Sequence, residues 1–134
     1  MNAENANTGL LVLTHGSIGQ SLIEVAEFIL DQPLSEIEVL SFRQSALEET
    51  DDDEIQQAIR RADRGQGVLI LTDVGGASPC NHATRLRCSE EVAVVSGLNL
   101  AMLIRAWSYR QHAPRELARL AAEGATRDIR ACRS

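Results

Sequence analysis

Short apolar runs of strand length alternate along the chain with stretches in which apolar residues recur every three or four positions. Residues 9–13 read GLLVL and end in the polar trio Thr14, His15 and Gly16. From Ser17 the period becomes helical. Ile18, Leu22, Ile23, Val25, Ala26, Ile29 and Leu30 form one stripe, and Asp31-Gln32-Pro33 stops it. Residues 37–42, IEVLSF, alternate as a second strand. An acidic loop at 45–54 follows, and one of its carboxylates is expected to open a helix with Ile55, Ala58, Ile59 and Ala62 on its inner face. Gly65-Gln66-Gly67 breaks that helix. The run VLIL at 68–71 is a third strand, and 72–79 is the most turn-rich stretch of the chain. A short helix over 80–87, a strand over 91–95, a turn at 96–99 and a helix over 100–110 come next. A last helix runs from Pro114, suited to a first helical turn, to about Glu123. Gly124 is expected to end it, and residues 128–132 form a short final strand.

The order is therefore β-α-β-α-β-α-β-α-α-β. The strand runs at Leu10, Val68 and Val92 are almost continuously apolar, as parallel strands covered on both faces must be. Strands alternating with helices imply right-handed crossovers and an open, doubly wound α/β sheet. No repeat or linker divides the chain, so residues 1–134 are expected to be one domain, with 1–8 disordered and 125–134 a C-terminal strand or tail.

Composition narrows the function. The 134 residues carry a formal net charge of −6, against a nucleic-acid surface, which needs lysines and arginines on phosphates. Three cysteines without a close pair give neither a disulfide framework nor a zinc signature; no metal and no cofactor is expected. Free cysteines, no apolar leader and no run of about 20 apolar residues point to the cytoplasm.

Ligands of an open parallel sheet bind beyond the C-terminal ends of its strands, where strand order reverses. Three polar clusters fall there, at 14–16, 72–78 and 96–99. With strand order 2-1-3-4, His15 and Asp73 meet across the switch point. A carboxylate accepting one ring N–H fixes the histidine tautomer, leaves the other nitrogen as a nucleophile and stabilises the charge formed on attack. Gly75, Gly76, Ala77 and Ser78 can present successive amides and a hydroxyl to a phosphate, and Thr14 joins them in the candidate cradle. Each feature has a plainer reading: a turn histidine, an aspartate cap, a glycine turn without a P-loop lysine. His82 and His112 fall in expected helices with surface roles, and Cys80 reads as a small packed residue.

With those residues in place, the chain resembles the enzyme IIA component of the mannose family of the bacterial sugar phosphotransferase system, over about residues 9–130. LLVLTHGSIGQSLIE is similar to its first strand, phospho-accepting histidine and first helix. GQGVLILTDVGGASPCNHATRL is similar to its D-x-x-G-(G/A)-(S/T)-P-x-N loop, and VVSGLNLAMLIRA to its G-x-N-x-x-M-L segment. The Gly76-Ala77-Ser78-Pro79 variant is most like single-domain proteobacterial members, some of which serve regulation. The resemblance implies strand order 2-1-3-4, phosphorylation of His15 on Nε2, Asp73 as the residue that orients the ring, and Ser78 with the loop amides around the phosphate. It implies a histidine-containing phosphocarrier protein as donor, an enzyme IIB as acceptor, a membrane permease reached only through partners, and a homodimer with an exchanged C-terminal strand matched by 128–132. Gly75 departs from the family, which often has an aromatic residue there; a wider pocket mouth and looser loop follow. No IIB segment is apparent, so the acceptor is expected to be a separate protein. The alternative is a regulatory phosphoprotein in which two added charges at His15 switch binding to another protein.

Overall fold

A computed structural model describes residues 6–43, 52–74 and 91–132. Four strands, β1 (Gly9–His15), β2 (Glu38–Phe42), β3 (Val68–Thr72) and β4 (Val92–Val95), form one parallel sheet in the order β2-β1-β3-β4. Among the described residues, four helices accompany it: α1 (Ile18–Leu30), α2 (Asp52–Ala62), α3 (Leu100–Ser108) and α4 (Pro114–Arg127). The open α/β sheet and its 2-1-3-4 order are those expected from the sequence.

The unbroken apolar character of β1 and β3 follows from burial on both faces. Leu10 and Val12 join Leu69 and Leu71 in a core closed by Ala26 of α1, Leu103 and Trp107 of α3, and Leu117 and Ala121 of α4. The alternate residues Leu11 and Leu13 join Val68 and Ile70 in a second core closed by Ile55, Ala58 and Ile59 of α2. Successive side chains of a strand point to opposite faces, so one tetrapeptide serves two cores. The acidic loop opens α2 as expected, with Asp52, Asp53 and Glu54 in its first turn and Arg60 and Arg61 in its last.

Several boundaries differ from the sequence reading. β1 continues through Thr14 to His15, pairing His15 with Phe42. α4 does not stop at Gly124 but runs to Arg127. Gly124 serves a close approach: a Cβ there would lie 2.1 Å from Cδ of Arg105, whose Nε donates to the Leu120 carbonyl. Residues 129–132 are exposed and form no strand among the described residues: with Asp128 and Arg130 flanking Ile129, the segment is too short and too charged to add to either edge of its own sheet, β2 or β4. Thr8, expected in a disordered lead-in, is buried, donating its amide to the Arg110 carbonyl and its hydroxyl to that of His112. His112 lies in the α3–α4 turn and not in a helix. The expected helix over 80–87, with Cys80 and His82, falls outside the described residues.

Gly9 tests the seating of α2. A Cβ at Gly9 would lie 1.7 Å from the Ala62 carbonyl oxygen, and backbone cannot rotate away as a side chain can. Gly9→Ala should lower stability by about 3 kcal/mol in urea denaturation, the upper part of the overpacking range. A midpoint equal to that of the wild type would show that the end of α2 does not lie against β1.

Candidate functional site

β1 and β3 are adjacent and parallel, so the chain leaves both at the same edge of the sheet. His15 is the last residue of β1 and Asp73 the first after β3. Gly16 then turns the chain with φ +52°, a left-handed conformation that costs glycine little, and α1 starts two residues later. Ser17 makes no side-chain cap. Instead Thr14 Oγ1 accepts the amide of Gly19 at 3.0 Å and satisfies one open donor of the helix.

Asp73 gathers the site. Its Oδ2 accepts the His15 backbone amide at 2.9 Å and lies 3.0 Å from His15 Nδ1; its Oδ1 accepts the Val74 amide at 2.9 Å. A carboxylate can only accept, so the proton of the neutral ring belongs on Nδ1. Nε2 keeps its lone pair and has no partner among the described residues. The Asp73 side chain is 9% exposed and that of His15 47%, so the carboxylate is sheltered while the ring faces outward. Burial acts to raise the Asp73 carboxyl. The His15 amide, the His15 ring, the Val74 amide and the positive charge the ring can carry together outweigh it, holding Asp73 below the ordinary carboxylate value. Phe42, opposite His15 on β2, sets its ring edge-on to the imidazole at 6.0 Å between centroids.

A second tie fixes the other side. Gly97 and Leu98 donate their amides to the carbonyls of Asp73 and Thr72, at 3.0 and 2.9 Å. Asn99 then caps α3 by accepting the Met102 amide at 2.8 Å. The turn at 96–99 thus holds the backbone of Asp73.

Of the residues singled out in the sequence, His15 and Asp73 meet. The Thr14 side chain is not brought to them: it is 1% exposed, on the opposite face of β1, and its oxygen accepts the Gly19 amide. Gly75, Gly76, Ala77 and Ser78 lie outside the described residues. Phe42 was not foreseen as a site residue, and Gly97 only as part of the polar cluster at 96–99. The aromatic end of β2 was a signal for the first, and the G-x-N spacing before α3 for the second. The hydroxyl of Thr72, buried beside Asp73 with no hydrogen-bond partner among the described residues, had no sequence signal.

A family model described as PTS system fructose IIA component matches residues 9–121. The chain is 28% identical over 128 residues to the mannose-specific EIIAB component of Escherichia coli strain K12, covering 93% of this chain and 39% of that protein. It therefore spans well under half the length of the curated relatives it matches. Among solved structures, the mannose/sorbose-specific IIA subunit from Enterococcus faecalis superposes with a TM-score of 0.81 at 24% identity, covering 96% of each chain. The EIIA component from Streptococcus agalactiae superposes with a TM-score of 0.75 at 21% identity, covering 92% of this chain and 96% of its own.

The depressed Asp73 carboxyl sets a pH dependence. A group whose folded value lies below its unfolded one stabilises the fold above the unfolded value, near 4, and loses that contribution as pH falls through the folded value. Wild type should exceed Asp73→Asn in urea stability by a constant margin from pH 8 to about 5, and the margin should shrink below about 4. A margin unchanged to pH 2 would show that the carboxylate charge does not hold the loop.

Proposed function

The chain belongs to the mannose-family enzyme IIA components of the sugar phosphotransferase system, and on that premise we propose that it is a phosphocarrier whose His15 takes a phosphoryl group and hands it on. The observation that carries this reading is the His15 Nδ1 contact with Asp73, which leaves Nε2 outward with its lone pair.

In the proposed step, the Nε2 lone pair attacks the phosphorus of a phosphohistidine on the donor. The phosphorus–nitrogen bond to the donor ring breaks, its electron pair stays on that ring, and the Nδ1 proton of His15 stays directed at Asp73. The His15 ring becomes positive as the new bond forms, and the Asp73 carboxylate 3.0 Å away stabilises that charge. Transfer onward reverses the sequence. Catalysis here is positioning plus fixed electrostatics, which is most of what phosphoryl transfer asks of a protein. Gly75, Gly76, Ala77 and Ser78 are the proposed phosphate contacts, from sequence alone.

The donor in this reading is a histidine-containing phosphocarrier protein and the acceptor an enzyme IIB. No helix among the described residues is long and apolar enough to cross a membrane, which fits a cytoplasmic carrier that meets a permease only through partners. The curated relatives are named as sugar-system components, which favours transport over the regulatory alternative.

Incubation with phosphoenolpyruvate, enzyme I and the phosphocarrier should add one acid-labile phosphate to the intact mass, and His15→Ala should abolish it. Asp73→Asn should fold and accept phosphate on the order of tenfold more slowly, as when one preorganised electrostatic partner is lost. Label that persists in His15→Ala would sink the assignment, and wild-type kinetics in folded Asp73→Asn would remove Asp73 from the chemistry.

The reading also includes a homodimer. The exposed residues 129–132 extend beyond α4, and pairing them with the sheet edge of a second copy would satisfy both chains at once. Sedimentation should show a dimer for the full chain and a shift toward monomer after deletion of 128–134. A truncated chain that stays fully dimeric would show that this segment does not hold the assembly.

A further inference from the structure

At the pole of the sheet opposite His15, a cavity of about 230 Å³ opens between the start of β1, the α1–β2 connection, the turn after α2 and the end of α3. Two arginines line it, and each is held by a backbone carbonyl. Arg64 Nη2 donates to the Glu36 carbonyl at 3.1 Å. Arg110 Nη1 donates to the Trp107 carbonyl at 2.8 Å, and its guanidinium lies 3.6 Å from the centroid of the Trp107 ring. Neither guanidinium has a carboxylate partner among the described residues, although acids outnumber Lys and Arg by 19 to 13 in this chain. Arg43, Arg61 and Arg119, by contrast, are all ion-paired on the surface.

A guanidinium anchored through one N–H keeps its other donors in a fixed fork, and that fork matches a carboxylate or phosphate. Anchoring before binding also lowers the ordering cost of recognition. Asn7 and Glu36 complete the polar wall. The Glu36 side chain can only accept, so a ligand that presents a hydroxyl on that side can donate to it. The volume equals that of about seven or eight water molecules at about 30 Å³ each, room for a chain of three or four carbons. We propose that this cavity binds a small hydroxylated anion, a carboxylate or a phosphate ester of three or four carbons, through Arg64 and Arg110. The site is separate from His15, which stands at the other end of β1, about 20 Å away along the strand. It stands whether or not His15 carries phosphate.

Titration calorimetry on the intact chain tests it, with malate as the carboxylate, glycerol 3-phosphate as the phosphate ester and glycerol as the neutral control. One site per chain is expected for at least one anion, with Kd of about 1 mM or tighter, and none for glycerol. The anion that binds tells which chemistry the cavity takes. Arg64→Gln and Arg110→Gln should each weaken binding about tenfold or more, and His15→Ala should leave it unchanged. Arg110 packs on Trp107, so if Arg110→Gln unfolds, Arg64→Gln at the exposed rim decides the matter. Absence of binding by both anions, wild-type affinity in Arg64→Gln, or loss of binding in His15→Ala would each overturn the proposal.

Discussion

One carboxylate oxygen joins two strands. Oδ2 of Asp73 accepts both the backbone amide and the ring of His15, so the end of β1 is fastened to the end of β3 through main chain and side chain together. This is possible only because β1 and β3 are parallel neighbours, with Leu13 beside Thr72. In an antiparallel pair the two residues would leave at opposite ends of the sheet. The ordered ring therefore rests on the topology, and the topology rests on two apolar cores that hold adjacent strands from both faces.

Local patterns made much of this legible. Strands buried on both faces read as unbroken apolar runs, and the polar clusters after them mark the sheet edge where chemistry collects. His15 and Asp73 were visible because the α/β order puts strand ends together. What stayed hidden depends on contacts between distant segments. Gly124 looks like a helix stop, yet its missing side chain makes room for Arg105 from another helix. Thr14 sits next to His15 in sequence, but adjacent strand residues face opposite ways, and its hydroxyl goes to α1. Thr8 looks like part of a loose lead-in, and only the α3–α4 turn beneath it gives it partners.

The two poles of the sheet hold charge differently. At the His15 end, amides and a ring converge on one carboxylate, and the turn at 96–99 holds the backbone behind it. At the other end, two guanidiniums are pinned to carbonyls beside a cavity that both arginines line. In both places a backbone group sets the direction of a charged side chain.

The anchoring of His15 has a consequence for the order of events in a relay. A ring tethered through Nδ1 to the same oxygen that holds its own amide cannot swing between two stations. If Nε2 carries phosphate as proposed, whatever delivers it and whatever removes it would come along one line of approach and compete for one footprint. Such a carrier would work by alternate occupancy: the spent donor would have to leave before the acceptor could dock. Turnover would then be governed by how quickly complexes part, and tighter binding by either partner would slow the whole chain of transfers.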